Sequence, residues 1–198
     1  MRIPRFIIAS LLIVGCSGTF AQTPPTNPNT KLSDAAFQTL AESCGANVPV
    51  STLEAIARTE SALYPYALSV NRPHQLALRN GRNRGTITLE RQPKSKEEAI
   101  AWTNWFLAHG VSVSVGLLQV SSEHVKALHL TVEQLFEPCP NVWAGATLLS
   151  LNYAAIARVQ GEGLRALNTA LSYYNSGTAW LGFRNGYVSQ VTARASQR

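Results

Sequence analysis

The stretch VPVSTLEAIARTESALYPYALSVN, residues 48–71, decides how this chain is read. Leu53, Ile56 and Ala57 recur at helical spacing and mark one apolar face. The next position on that face, one turn on, is Glu60. Ser51 and Glu54 have the S-x-x-E spacing of a capping box, which predicts a helix starting at Ser51. Pro65 disfavours helical geometry at Tyr64, so the helix is expected to stop near Ser61. Glu60 then lies at a helix C-terminus, where the dipole already disfavours a negative charge. Packing strips hydration from the carboxylate, and both effects raise its pKa. A carboxyl group that keeps its proton near neutral pH is a general acid. The competing reading has Glu60 fraying into solvent from the last turn, where most glutamates lie.

What surrounds this helix bounds the rest. The chain has 198 residues, 45% hydrophobic and 14% charged, enough for one globular domain with its own core. Its first residues, MRIPRFIIASLLIVGCSGTFAQ, read as an export signal with basic Arg2 and Arg5 before a nine-residue apolar run, Phe6 to Val14. That run is too short to cross a bilayer as a mature helix. Two cleavage sites compete. Cutting after Ala21 starts the mature chain at Gln22, whereas IVGC has the form of a lipobox and would leave a lipid-anchored Cys16. The first is favoured, so residues 1–21 are assigned to a signal peptide, 22–31 to a flexible Pro-rich linker (QTPPTNPNT) and 32–198 to the domain.

Cys44 and Cys139 remain as an even pair in an exported chain, and a disulfide is expected between them. The alternative is two separate buried thiols. The formal charge is +6, or +4 once residues 1–21 with their two Arg are gone. A modest positive field suits an anionic polymer outside the cytoplasm. It suits nucleic acid in sign, but the export signal and the lack of any run of five basic residues argue against that partner.

Further along, Ser33 is the expected N-cap of a first helix ending at Cys44-Gly45. Residues 71–94 break the helical pattern and read as a loop or small hairpin, with Asn80-Gly81 as its turn and TITLE as a short strand. Its Arg79, Arg82, Arg84 and Arg91 read as a solvated basic rim, or else as contacts for acidic substrate groups. Ser95 with Glu98 opens a helix running to His109, and Thr131 with Gln134 caps a short turn. Later helices are expected from about Asn141 to Gly161, from Gly163 to Tyr174, and from Tyr187 to Ala195. The total is six or seven helices and one minor hairpin, a mainly α fold. His74, His109, His124 and His129 show no metal-ligand spacing, so neither a metal nor another cofactor is expected.

Four segments in order carry a family resemblance: ARTESALYPYALSVN (57–71), VGLLQV (115–120), FEPCPNVWAGATLLS (136–150) and ALSYYNSG (170–177). They resemble the Glu-Ser, Gly-Leu-Met-Gln and Ala-x-Tyr-Asn-x-Gly motifs of lytic transglycosylases with a goose-type-lysozyme-like domain. The third segment, and a Cys at the position of Cys44, resemble the branch serving type IV secretion and conjugation systems. The resemblance implies a lysozyme-like helical domain with a small loop or hairpin insertion, acting in the periplasm on peptidoglycan.

Carried onto this chain, it makes Glu60 the catalytic acid and base. Ser61 would meet the sugar acetamido group or steady the Glu60 loop. Gln119 would line the cleft, Tyr174 would orient Glu60, and Asn175 would shape the same wall. The chain departs from the family in places: Leu118 stands for Met, Val120-Ser121 for Ile-Asn, Ala62 for Gly and Tyr64 for Asn before Pro65.

The implied reaction cleaves the bond between N-acetylmuramic acid and N-acetylglucosamine and closes a 1,6-anhydro ring without water. A single carboxylate fits that chemistry, since ordinary glycosidases flank the bond with two, and Asp34 is the sole Asp of the chain. Two rivals remain: a muramidase that uses water, and a non-catalytic wall-binding scaffold of a secretion machine.

Overall fold

The computed structural model describes residues 31–71 and 86–197. The export signal, the linker up to residue 30, Asn80-Gly81 and Arg79, Arg82 and Arg84 lie outside the described residues.

Helix α1 spans Asp34–Cys44, and Ser33 caps it by accepting a hydrogen bond from the Ala36 N–H. Helix α2 spans Val50–Glu60. The expected Ser51–Glu54 box does not form, because Pro49 precedes the first turn and its carbonyl already accepts from Thr52 and Leu53. Glu54 instead is buried and pairs with Arg58 at 2.9 Å, one turn on along the same helix. Arg58 also pairs with Asp34, which joins α1 to α2.

The interruption is larger than one hairpin. Strands β1 (Leu68–Asn71), β2 (Thr86–Thr88), β3 (Val113–Val115) and β4 (Val120–Ser121) form an antiparallel sheet ordered β2-β1-β3-β4. Leu68 faces Val115, and Val115 faces Val120. β1, β3 and β4 went unseen because they are two to four residues long and buried, too short to show alternation.

Helix α3 (Lys96–Ala108) follows its Ser95 cap. The Glu98 carboxylate does not close that box. It turns to the Lys94 N–H and to Arg91, which also lies 4.4 Å over the Trp102 ring. A 3₁₀ turn (Ser122–His124) leads to α4 (Val132–Leu135), whose Thr131–Gln134 box is complete. Helix α5 runs from Pro138 to Gln160, starting three residues before Asn141 because Pro138 fits a first helical turn. Helix α6 (Leu164–Ser176) ends at Gly177 in the left-handed region, followed by the single-turn α7 (Leu181–Arg184) and α8 (Tyr187–Ala195). Eight helices are thus present among the described residues, the unexpected one being α7.

Packing makes α2 central, between α1 on one side and α8 on the other, while α5 lies against α1 and α6. Phe37, Leu53, Ile56, Leu117, Leu118, Phe136 and Leu149 form one core beneath the end of α2. Cys44 and Cys139 are bonded, joining the last turn of α1 to the first turn of α5 across 95 residues of sequence.

The chain leaves α2 through a tight reversal. Ala62 and Leu63 both have positive φ, 51° and 65°. Leu63 is buried, and its carbonyl accepts from Leu32. Left-handed backbone costs a residue with a β-carbon about 1–2 kcal/mol. The glycine usual in the family at position 62 would adopt it freely.

Two outcomes follow from this architecture. Replacing Cys44 and Cys139 together by Ser should lower unfolding free energy by about 4 kcal/mol, read from chemical denaturation against the oxidised parent. Ala62→Gly should raise it by about 0.5–1 kcal/mol, the relieved strain exceeding the added chain entropy. A lower denaturation midpoint would contradict that.

Candidate active site

The site is built on the turn Val115-Gly116-Leu117-Leu118-Gln119, clamped against α5 by one buried amide. The Asn141 Nδ2 donates to the carbonyls of Val115 (2.9 Å) and Leu135 (2.8 Å), and its Oδ1 accepts from the Leu118 N–H (2.8 Å). Gly116 has φ +79°, and a β-carbon there would lie 2.2 Å from the Asn141 Nδ2. A β-carbon on Gly145 would lie 2.8 Å from the Tyr174 hydroxyl and as close to Leu118. Both glycines therefore let the turn, α5 and α6 approach to contact distance. Reasoning from the sequence missed Asn141 and Gly145. Their signal, a polar side chain and a small one on the inner face of a helix, was present in NVWAG.

The turn presents its carbonyls outward to the residues singled out above. Ser61 donates to the Leu117 carbonyl at 2.8 Å and to Ala57 at 3.0 Å, tying the end of α2 to the turn. Tyr174 donates to the Leu118 carbonyl at 2.7 Å. The Gln119 amide donates to Ala67 and Gly116, and its oxygen accepts from Ser69. Gln119 has φ 48°, a strained value for a residue with a side chain, and this network holds it there.

Together these tethers frame a cavity of about 570 Å³ lined by Glu60, Ser61, Ser69, Gln119 and Tyr64, the size of a small-ligand site. Glu60 does not fray. It keeps some surface on the cavity, but protein atoms surround its carboxyl group, and that burial raises its pKa to about 7. The Tyr187 hydroxyl, on the first turn of α8, pulls weakly the other way. Tyr187 is buried, and its hydroxyl lies against the Glu60 carboxyl without regular hydrogen-bond geometry. Tyr174 feels the charge of Glu60, but its hydroxyl is given to Leu118. Tyr187, unnoticed in the sequence, is the tyrosine whose hydroxyl reaches the carboxyl.

Asn175 is placed apart from these. Its Oδ1 accepts from Asn185 at 2.8 Å, and it lines a neighbouring cavity of about 550 Å³ with Asn185, Tyr187 and Gln190. Glu60, Ser61 and Gln119 thus share one cavity, Tyr174 supports it through Leu118, and Asn175 lies in the next. Among the described residues lining the Glu60 cavity, no second carboxylate appears. The chain's one Asp, Asp34, is exposed and paired with Arg58. Among the described residues no three His, Cys, Asp or Glu side chains converge as metal ligands, and no helix is long and apolar enough to cross a membrane.

Comparison with known proteins agrees with this architecture. Residues 38–196 match the Transglycosylase SLT domain family. Protein virB1 of Agrobacterium fabrum is 33% identical over 177 residues, 89% of this chain and 66% of that protein. Protein virB1 of Rhizobium radiobacter is 32% identical over 166 residues, 84% of this chain and 63% of that protein. The type IV secretion system protein virB1 of Brucella abortus biovar 1 is 33% identical over 165 residues, 80% of this chain and 63% of that protein. The chain thus spans a little under two thirds of the length of these relatives. No solved structure matches it significantly. With residues 38–196 matched, most of the chain, the chain belongs to the Transglycosylase SLT domain family.

Proposed function

We propose that this protein is a peptidoglycan lytic transglycosylase that opens cell wall for a type IV secretion or conjugation apparatus. The observation carrying the reading is a lone carboxyl group, buried at a cavity and holding its proton up to about pH 7. The names of its relatives support the setting. Residues 1–21 would direct export to the periplasm, with anchoring at Cys16 as the alternative route.

The chemistry follows from the proton. Protonated Glu60 gives its hydrogen to the oxygen joining N-acetylmuramic acid to N-acetylglucosamine, and that bond breaks at the muramyl C1. The positive charge at C1 is met by the muramyl C6 oxygen. Glu60, now a carboxylate, takes the C6 hydroxyl proton as the new C–O bond closes. The acid is restored, the product is a 1,6-anhydro sugar, and no water is consumed. One group serves as acid and then base because its pKa lies near the working pH. Hydrolysis by two flanking carboxylates lacks its second member among the described residues lining this cavity.

Ser61, Gln119 and Tyr174 act in this reading by position. Ser61 fixes the end of α2, and hence Glu60, to the turn at Leu117. Gln119 shapes the floor, its amide already engaged by protein. Asn175, through Asn185, orders the start of α8 that carries Tyr187.

Glu60→Gln should reduce release of anhydro-muramyl products from sacculi by at least a thousandfold while wild type releases them. Mass spectrometry reads the result, since a hydrolysed product is one water heavier and would replace this reading with a muramidase. Activity of Glu60→Gln close to wild type would take the chemistry away from Glu60, and inactivity of both would leave the scaffold reading.

The pH dependence has a definite sign. Glu60 is an acid whose folded pKa, about 7, lies above its unfolded value of 4.5. The folded state therefore holds the proton more tightly, and stability falls as pH rises from about 4.5 to 7. The loss levels off above 7 at up to about 3 kcal/mol. Glu60→Gln should match wild type in melting temperature near pH 4 and exceed it at pH 8. Wild-type kcat/KM should fall about tenfold per pH unit above 7.

A further inference from the structure

Three cations line the Glu60 cavity: Lys31, Arg58 and Lys94. No acid other than Glu60 does so among the described residues. Arg58 is already balanced by Glu54 and Asp34. Lys31 and Lys94 form no ion pair among the described residues. Glu98 feels the charge of Lys94, but its carboxylate is engaged by the Arg91 guanidinium and the Lys94 backbone N–H.

Both lysines stand on backbone that is held in place. Lys31 precedes Leu32, whose N–H donates to Leu63 in the reversal after Glu60. Lys94 follows Pro93, whose carbonyl accepts from Tyr64, and the Gln92 amide bridges both the N–H and the carbonyl of Leu68. The two lysines thus line one cavity from separate pieces of chain. Neither is among the causes that set the Glu60 pKa, so both leave the acid protonated. With Glu60 neutral, the described lining of the cavity is net positive, which attracts an anion.

Resting on the transglycosylase reading above, we propose that Lys31 and Lys94 bind a carboxylate of the glycan substrate. Peptidoglycan offers two sources of that one chemistry: the free carboxylates of its stem peptides, and the lactyl carboxylate exposed on muramic acid once the peptide is removed. The pair makes the cavity selective for strands by charge, beside the shape of their sugars.

Binding tests this with the full chain carrying Glu60→Gln, so that no turnover occurs. The probes are soluble glycan strands with peptides and amidase-treated strands without them, each before and after conversion of carboxylates to amides. Adding Lys31→Gln and Lys94→Gln should weaken binding of carboxylate strands five- to tenfold at low salt, while Lys31→Arg with Lys94→Arg stays within twofold. Amidated strands should bind all three proteins alike. A loss confined to peptide-bearing strands assigns the stem carboxylates, a loss confined to amidase-treated strands assigns the lactyl group, and a loss on both shows that the pair takes either carboxylate. Equal affinity of the parent and the Gln variant for carboxylate strands would overturn the proposal, as would an equal loss on amidated strands. A hydrolytic product from wild type would instead overturn the transglycosylase reading and leave the carboxylate site standing.

Discussion

The arrangement depends on the side-chain amide of Asn141. Its three hydrogen bonds saturate a turn whose backbone would otherwise be buried without partners. An unpaired buried amide or carbonyl costs about 1–3 kcal/mol, so one side chain does what a full strand ladder would. With its inner groups satisfied, the turn is free to point the Leu117 and Leu118 carbonyls at Ser61 and Tyr174. Helix α5 carries Asn141 and also Gly145, which makes room for Tyr174. One helix therefore sets the height of the cavity floor from two of its turns.

Against that floor stands a side chain in an unfavourable place. Glu60 ends a helix and faces protein atoms, and no cation among the described residues offsets the burial that raises its pKa. Other parts of the fold oppose the obvious escape. Ser61 is tethered to the turn, Leu63 is buried just beyond, and α8 brings Tyr187 over the carboxyl from behind. The strain of two left-handed residues at 62 and 63 belongs to the same design, because it turns the chain away and leaves the carboxyl at the cavity. Strain of this sort persists only where neighbouring structure over-determines it.

Much of this was legible in the residues. Helices α1, α3 and α6 announced themselves through caps and glycine stops, and the even pair of cysteines pointed to the bond that is present. Glu60 was visible as a polar break in an apolar stripe. What stayed hidden shares one cause. The strands at 68–71, 113–115 and 120–121 are defined by pairing with distant chain, and a short buried run carries no periodicity of its own. The partners of Tyr174, Asn141 and Tyr187 are equally non-local, so a motif could name Tyr174 without revealing that its hydroxyl serves Leu118. The Ser51–Glu54 spacing misled because a cap is chosen by competition, and Arg58 offered Glu54 a charged partner.

The sulfur bridge between α1 and α5 has a topological consequence. It closes a covalent ring from Cys44 to Cys139 that includes Glu60, Ser61, Gln119 and the whole sheet, while Tyr174 and Tyr187 hang from the tail outside it. A single proteolytic cut anywhere within the ring opens it into two arms that stay linked through sulfur. The acid, the floor beneath it and the tail that covers it would thus remain parts of one molecule after such a clip.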